Sequence, residues 1–232
     1  NGKWLERFCR LVEKNHSWLR TITPGDVIRT VPPAGRLYLP TASYAEMLHW
    51  ALPSPTAFIE FEEFERELKK DDLVDRFGSF VRGGFWRNFM VKYPEINAMQ
   101  KKMTRISKRI DHAAMGRGGD PMARGLVEEA YEHLLASQCN CPYWHGVFGG
   151  IYLSNIRSRV FTEMITAEAA LDRLEGVTEG KVVVEDYDLD GADEVIYESP
   201  EIALYASPAQ GGTIFEFDYK PLRYNFTNLV TR

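Results

Sequence analysis

Residues 138–150 read QCNCPYWHGVFGG and gather two thiols, an imidazole and several aromatic rings in one short stretch. Cys139, Cys141 and His145 form a C-x-C-x3-H pattern, which is a single arm, whereas structural zinc usually takes four ligands from two paired arms. No second arm is apparent among the other histidines, which are His16, His49, His112 and His133. A cysteine nucleophile would need a base and an orienting partner, and no residue pattern indicates a lowered thiol pKa. Metal and thiol chemistry are therefore disfavoured here.

The same segment suits close packing or contact with a ligand. We expect Pro142 to begin a helix on which Gly146, Gly149 and Gly150 leave a face without side chains, where another backbone can approach. Residues 143–145 would then point about 100° apart around the helix, so at least one of them leaves the core. Aromatic faces near a helix N-terminus suit polyhydroxylated ligands. Core packing and ligand contact both stay open on the residues alone.

A second stretch, Phe80–Asn97, raises the same choice. Gly83 and Gly84 permit a turn that other residues resist. Arginine, tryptophan and tyrosine side chains around it supply more polar and aromatic groups than a connecting loop needs. The plainer interpretation is a buried turn in which Arg82 or Arg87 pairs with a carboxylate.

Asp186, Asp188 and Asp190 alternate before Gly191, a spacing that can gather oxygen ligands for calcium. An EF-hand loop would carry glutamate at its twelfth position, where Tyr197 stands, so this is not an EF-hand. A calcium-binding β-turn and a solvated acidic hairpin are the two interpretations. No other cofactor is expected.

Apolar periodicity indicates the elements that would position these groups. A stripe in residues 3–16 predicts a helix, and Ser54 with Pro55 forms an N-cap and first-turn pair for another. After Pro94 an apolar seam predicts a long helix, and Asp120 with Pro121 starts one that runs to about Ser137. The seam consists of Ile96, Met99, Met103, Ile106 and Ile110.

Two further expectations concern the rest of the chain. The basic stretch Lys101–Arg109 is predicted to be the solvated face of its helix, and Arg36–Pro40 is the best early strand candidate. From about Gly176 the pattern predicts two β-hairpins, at 181–199 and 201–219, which are too few strands for an independent domain. The fold class is therefore α+β, mainly a helical bundle followed by a short antiparallel β segment that is an incomplete β-sandwich.

Composition limits the classes of partner. The chain has 232 residues, 44% of them hydrophobic and 26% charged, as is ordinary for a soluble globular protein. A net charge of −5 argues against general binding of nucleic acid or an anionic membrane. No run of about 18 apolar residues suggests a membrane span. Three cysteines, with no signal-peptide pattern at the start, favour a cytoplasmic setting.

Several segments together resemble glycoside hydrolase family 57, the α-amylase and 4-α-glucanotransferase type. They are QCNCPYWHGVFGGIYL, VRGGFWRNFMVKYPEIN, RLYLPTASYAEMLHWALP and DLDGADEV. The resemblance covers nearly the whole chain. It implies that residues 1–53 are the end of a (β/α) barrel region, 54–176 a helical domain, and 181–232 the first strands of a C-terminal β-sandwich.

The resemblance also implies a role in binding α-glucan. Retaining chemistry needs two carboxylates, and the family carries both in barrel segments upstream of those matched here, so no catalytic residue is assigned. The substrate-side segment carries over as Asn140, Cys141, Tyr143, Trp144 and His145, with Trp144 at the family's aromatic position. Glucanotransferases commonly have aspartate at the place of Cys141 and alanine at that of Pro142, which leaves transfer or hydrolysis open.

Two functions follow as hypotheses. The first is a non-catalytic portion of an α-glucan-active enzyme, inactive alone, whose partners are a maltooligosaccharide and the upstream barrel domain. The second is a structural or dimerisation module, a homodimer without sugar contact.

Overall fold

The computed structural model describes residues 2–39, 44–116, 120–146 and 148–230. They fall into two compact units, one within Asn1–Thr41 and the other within Ala42–Arg232. In the first unit, α1 spans Gly2–Lys14 and α2 spans Pro24–Thr30. Thr23 and Asp26 form a reciprocal capping box at the start of α2.

The strand predicted at Arg36–Pro40 is wrong for residues 36–39, and Pro40 lies outside the described residues. These residues have no regular secondary structure, and Leu37, Tyr38 and Leu39 are all largely exposed. A strand needs a partner for its backbone groups, and the described part of this unit holds none.

In its described ranges, the second unit begins with seven helices. They are α3 (Ala45–Trp50), α4 (Pro55–Lys70), α5 (Val74–Phe77), α6 (Trp86–Lys92), α7 (Pro94–Gly116), α8 (Pro121–Ser137) and α9 (Ser154–Glu175). The Ser54 and Asp120 side chains accept from the N–H groups of Ala57 and Met122, as their N-cap positions predict. The predicted seam of α7 lies in the core, and α8 packs closely with α9. None of the helices in the described ranges is both long and apolar enough to cross a membrane.

The helix start predicted at Pro142 is wrong, because α9 begins only at Ser154 and runs to Glu175. Cys141–Tyr143 and Gly150–Tyr152 are single 3₁₀ turns, and Trp144 between them is fully extended. Gly146, Gly149 and Gly150 all have positive φ, which a right-handed helix cannot accommodate.

Five strands in the described part of this unit form one antiparallel sheet in the order β1 to β5. They are β1 (Lys181–Glu185), β2 (Glu194–Glu198), β3 (Ile202–Ser207), β4 (Thr213–Tyr219) and β5 (Tyr224–Asn225). Both predicted hairpins are present, and β2 also pairs with β3, which joins them into one meander. Gly176 ends α9 in the left-handed conformation that glycine tolerates. The α+β fold class is confirmed.

The basic stretch of α7 was predicted to be solvated, and this is wrong for Lys102, which is fully buried. Its Nζ lies 2.7 Å from Glu216 Oε1, 2.7 Å from Asp218 Oδ2 and 2.9 Å from Glu168 Oε2. Arg105 and Arg109 of the same helix pair with Glu198 and Asp172. A buried cation requires such partners, so the charges of α7 join the helices to the sheet.

Candidate functional site

The segment between α8 and α9 is held by close backbone contacts. The N–H of Ile151 donates to the carbonyl of Trp144 at 2.9 Å, which folds the segment back on itself. A Cβ at Gly150 would lie 2.2 Å from the His145 carbonyl oxygen, and φ there is +44°. Only glycine fits such an approach, so the loop conformation is specified by its sequence.

Tyr143 lies in the core and anchors the segment. Its hydroxyl donates to the carbonyl of Ser137 at 3.0 Å, and its own carbonyl accepts from Trp86 Nε1 at 2.9 Å. Burial raises the pKa of the Tyr143 phenol well above its ordinary value. Tyr143 therefore ties the segment to the end of α8 and to α6.

Trp144, next in sequence, turns toward an aromatic cluster. Its ring lies 4.9 Å from that of Tyr44 and 5.4 Å from that of Trp50, between centroids. The amide of Asn140 donates to the Tyr44 hydroxyl at 2.9 Å. We call the open cavity of about 660 Å³ beside these rings the aromatic pocket. Its lining comprises Tyr44, Met47, Trp86, Met103, Gln138, Asn140, Tyr143 and Trp144.

The indole N–H of Trp144 is buried and has no acceptor among the described residues. Trp86, in the same pocket, uses its indole N–H for the bond to Tyr143. A buried donor without a partner costs about 1–3 kcal/mol, and orphaned groups are rare in folded proteins. Trp144 is thus held in a position that its own chain leaves incompletely satisfied.

His145 lies behind Trp144 rather than on the lining of the pocket. Its ring centroid is 4.4 Å from that of Trp50, and its Nδ1 is 3.2 Å from the hydroxyl of Tyr152. That hydroxyl also bonds the hydroxyl of Tyr93. Burial, and then the positive charge of Lys92, lower the pKa of the imidazole. The ring is therefore favoured in its neutral form.

The two cysteines show no sign of activation. Both Cys139 and Cys141 are free and exposed. Desolvation, followed by the neighbouring Cys139, raises the pKa of the Cys141 thiol. A nucleophilic cysteine needs the opposite shift.

In the second stretch singled out by sequence, Gly83 serves a close approach. A Cβ there would lie 2.3 Å from the carbonyl oxygen of Leu48, so glycine lets this turn pass against α3. The Arg82 Nε donates to the carbonyl of Ser79 rather than to a carboxylate. The turn thereby places Trp86 at the aromatic pocket.

The acidic turn between β1 and β2 brings three carboxylates together, and one of them was not predicted. Oxygens of Asp186, Asp188 and Glu194 lie within 4.8 Å of one another, whereas Asp190 is outside this group. The Asp190 backbone N–H instead donates to Asp186 and Asp188. Burial, and then the charge of Asp190, raise the pKa of Asp188. Glu194 could have been found from the hairpin register, because it opposes Glu185 across the turn.

Sequence-based prediction also omitted Tyr44 and Trp50 from the site. They come from α3 and the residue before it, about a hundred positions before Trp144. Their signal was only indirect, since both lie in a segment that carries the family resemblance. Long-range contacts of this kind cannot be derived from local spacing.

Comparisons with known proteins agree on one family. Residues 84–171 match the model "Alpha-amylase/4-alpha-glucanotransferase, middle domain", and residues 186–232 match the C-terminal domain model of the same proteins. The chain is 41% identical to Alpha-amylase 1 of Dictyoglomus thermophilum and 38% identical to a 4-alpha-glucanotransferase of Thermococcus kodakarensis. Each alignment covers 99% of this chain and 32% of the relative.

A solved structure supports the same assignment. The crystal structure of 4-alpha-glucanotransferase from Thermococcus litoralis superposes with a TM-score of 0.67 at 34% identity, over 97% of this chain and 32% of that one. The chain therefore spans about a third of the length of the relatives it matches. Its sequence matches the middle and C-terminal domains of these proteins. The chain belongs to the α-amylase/4-α-glucanotransferase type of glycoside hydrolase family 57.

Proposed function

We propose that the chain is the non-catalytic portion of an α-glucan-active enzyme and that the aromatic pocket forms one wall of its sugar-binding cleft. The names of the relatives, α-amylase and 4-α-glucanotransferase, supply the substrate class. In this proposal residues 1–53 end a barrel region, 54–176 form the helical domain and 181–232 begin the β-sandwich. The barrel domain and a maltooligosaccharide are the partners.

The observation that carries the proposal is the pairing of an open aromatic cavity with a buried, unsatisfied indole N–H at Trp144. Sugar rings offer apolar C–H faces together with hydroxyl groups, and aromatic side chains with polar groups nearby complement both. A pocket that served only packing would be filled and its donors paired.

Each residue of the predicted segment then has a distinct part. Trp144 and Tyr44 present ring faces to the glucan, and Asn140 fixes the Tyr44 hydroxyl. Tyr143 lines the pocket while its hydroxyl anchors it in the core, and His145, which is not on the lining, packs against Trp50. Cys141, exposed at the edge, stands where transferases commonly carry aspartate, so it bears on the choice between transfer and hydrolysis.

No bond-breaking step belongs to this chain in the proposed role. Retention of configuration requires a nucleophile and an acid/base about 5–5.5 Å apart, and the resemblance implies that both lie in barrel segments. We therefore expect no starch hydrolysis from the 232 residues alone. The pocket would contribute by holding the glucan in register with carboxylates from the barrel.

Two tryptophans in one pocket allow a matched test in a protein that includes the barrel domain. Trp144→Ala removes the stacking face, so kcat/KM on maltooligosaccharides should fall about tenfold or more. Trp144→Phe keeps a ring but removes the N–H that is unpaired within the described chain, and Trp86→Phe removes an N–H that bonds Tyr143. We expect the former to weaken sugar binding with little loss of stability, and the latter to cost about 1 kcal/mol of stability.

The alternative is a structural or dimerisation module that does not touch sugar. In that case Trp144→Ala would leave kcat/KM and the distribution of products unchanged and would lower only thermal stability or the dimer fraction. Sedimentation of the same variants separates the two proposals.

A further inference from the structure

A second cavity, of about 400 Å³, lies where the start of α7, the helix α9 and the connection from β3 to β4 meet. We call it the junction cavity. It shares no described lining residue with the aromatic pocket. Its volume is within the range of about 300–1,000 Å³ typical of small-molecule sites and near the lower end of it.

One wall of the junction cavity is apolar and partly aromatic. Met99 and Phe161 face it from the helices, and Phe215 faces it from β4. Met99 and Phe161 are buried parts of the helical core, and Phe215 packs on the rings of Tyr187 and Tyr205. This wall is therefore fixed by the fold and offers a ring face to an occupant.

The lining also carries polar groups, and one of them has no side-chain partner among the described residues. Ser207 is 4% exposed and lines the cavity. Its backbone carbonyl accepts from the Gly212 N–H at 3.0 Å, but its hydroxyl makes no hydrogen bond to any described residue. The hydroxyl oxygen is not among the fully buried unpaired atoms of the described residues, so it is accessible from the cavity. Gln210 and Thr213, both exposed, add an amide and a further hydroxyl at the rim.

Among the described residues that line the cavity, no basic side chain is left to pair with an anionic ligand. Its one basic residue is Arg157, whose Nε donates to Asn228 Oδ1 at 2.8 Å and whose Nη2 donates to the Asn228 carbonyl at 3.2 Å. Its Nη1 donates to the carbonyl of Ile151. Glu95 and Asp188 add acidic groups to the same lining. A phosphate or carboxylate would meet negative charge without an available counter-charge.

We propose that the junction cavity is a second carbohydrate site, which binds a neutral α-linked glucose disaccharide unit separately from the cleft wall. The ring face of Phe215, the free Ser207 hydroxyl and the amide of Gln210 recognise a ligand that is apolar on one face and rich in hydroxyls at its edge. The identity of the sugar rests on the proposed function, whereas its neutrality rests on the lining itself.

Methionine methyl groups report on the two cavities independently. Met99 lines the junction cavity, and Met47 and Met103 line the aromatic pocket. We would label the methionine methyl carbons of the chain, assign them with Met→Leu variants, and titrate with maltose. A saturable shift of Met99 is expected, with glucose 6-phosphate binding no more tightly than glucose.

Two variants allow a loss of maltose binding to be distinguished from a loss of folding. Ser207→Ala removes a hydroxyl that bonds nothing in the described chain, so it should weaken the Met99 response roughly fivefold without lowering the melting temperature. Gln210→Ala alters an exposed side chain and should weaken it by a smaller factor. Two results would overturn the second site: a Met99 signal that does not shift with maltose, or a response to maltose that is as strong in both variants as in the unsubstituted chain. Movement of Met47 and Met103 without Met99 would overturn it while leaving the cleft wall supported.

Discussion

The aromatic pocket and the Lys102 cluster lie in the same unit, yet they treat their polar groups in opposite ways. Around Lys102 four acceptor groups surround one sealed ammonium, which donates to Glu216, Asp218 and Tyr205 and forms an ion pair with Glu168. In the pocket, Trp144 leaves its indole N–H unpaired beside an open cavity. In the first region Glu168 Oε2, although without a hydrogen bond, lies 2.9 Å from the Lys102 ammonium, whereas in the second the Trp144 N–H has no partner among the described residues.

This difference separates structure from function. A buried cluster in which one ammonium contacts three acidic side chains from α9 and β4 specifies one arrangement of helix and sheet. An open cavity with an unpaired donor lowers stability and is retained where it serves binding. We therefore expect changes in the Lys102 cluster to act on folding, whereas changes in the pocket should divide between folding and binding.

The largest expected effect comes from removing the buried cation. Lys102→Met leaves Glu168, Glu216 and Asp218 together without a counter-charge and should lower the free energy of unfolding by about 3–5 kcal/mol. Urea denaturation measures it. Lys108→Met, an exposed change on the same helix, should stay within about 0.5 kcal/mol. Equal effects of the two would show that the cluster does not hold the sheet.

The next effect concerns the backbone of the pocket. At Gly150 a Cβ would contact the carbonyls of both Trp144 and His145 in a positive-φ conformation, so Gly150→Ala should cost about 3 kcal/mol and displace the Trp144 ring. Gly125 provides a control at which the same substitution should raise stability instead of lowering it. It lies inside α8, where a Cβ would have nothing within 4 Å, so Gly125→Ala should stabilise by about 0.5–1 kcal/mol. Thermal melts and tryptophan fluorescence distinguish the two variants.

A smaller effect, of known sign, is expected from pH. Burial, together with the charge of Asp218, raises the pKa of Glu216 well above 4.5 against the opposing charge of Lys102, so the folded state binds a proton at this carboxyl more tightly than the unfolded state does. Stability from this group is complete below pH 4.5 and falls as pH rises toward the folded pKa, by at most about 1.4 kcal/mol per pH unit.

Glu216→Gln tests that proton directly. The variant should flatten the decline in unfolding free energy above pH 4.5. The pKa of Glu198 is lowered by Arg105 against the effect of burial, so this group changes the unfolding free energy only below pH 4.5. The pKa of Lys102 is raised, so this group changes the unfolding free energy only above pH 10.5. Asp188, Glu194 and His145 also have shifted pKa values in this window, but both proteins contain them, so the difference between the two pH curves reports on Glu216. Parallel pH curves for Glu216→Gln and the unsubstituted chain would show that the decline does not come from Glu216.

Local spacing predicted the longer helices α1, α4, α7 and α8 but not the two regions compared above. The seam of α7 and the caps at Ser54 and Asp120 depend on neighbours three or four positions away, so the sequence displays them. Lys102 follows Met99 by three positions and precedes Ile106 by four, which places it on the apolar seam. That position was the signal against a solvated face, but its acidic partners lie about 65 to 115 residues further along the chain.

The pocket shows the same limit. Proline at 142 favoured a helix start, yet the glycines at 146, 149 and 150 adopt positive φ because the chain must fold back on Trp144. The aromatic partners of Trp144 come from the region of α3. Residue types indicated sugar-compatible chemistry, while the enclosing geometry required the tertiary structure.

The acidic turn is a third case beside these two and gives the smallest expected effect. Asp186, Asp188 and Glu194 converge like the acids around Lys102, but no described lysine or arginine forms an ion pair with them. We expect calcium to supply the missing charge, with a melting temperature that rises by a few degrees as calcium increases. Asp188→Asn should abolish the rise, and Asp190→Asn should reduce it less, because Asp190 lies outside the convergent group. A melting temperature independent of calcium would leave a solvated hairpin, in which Asp186 and Asp188 accept hydrogen bonds from the backbone N–H groups of Asp190 and Gly191.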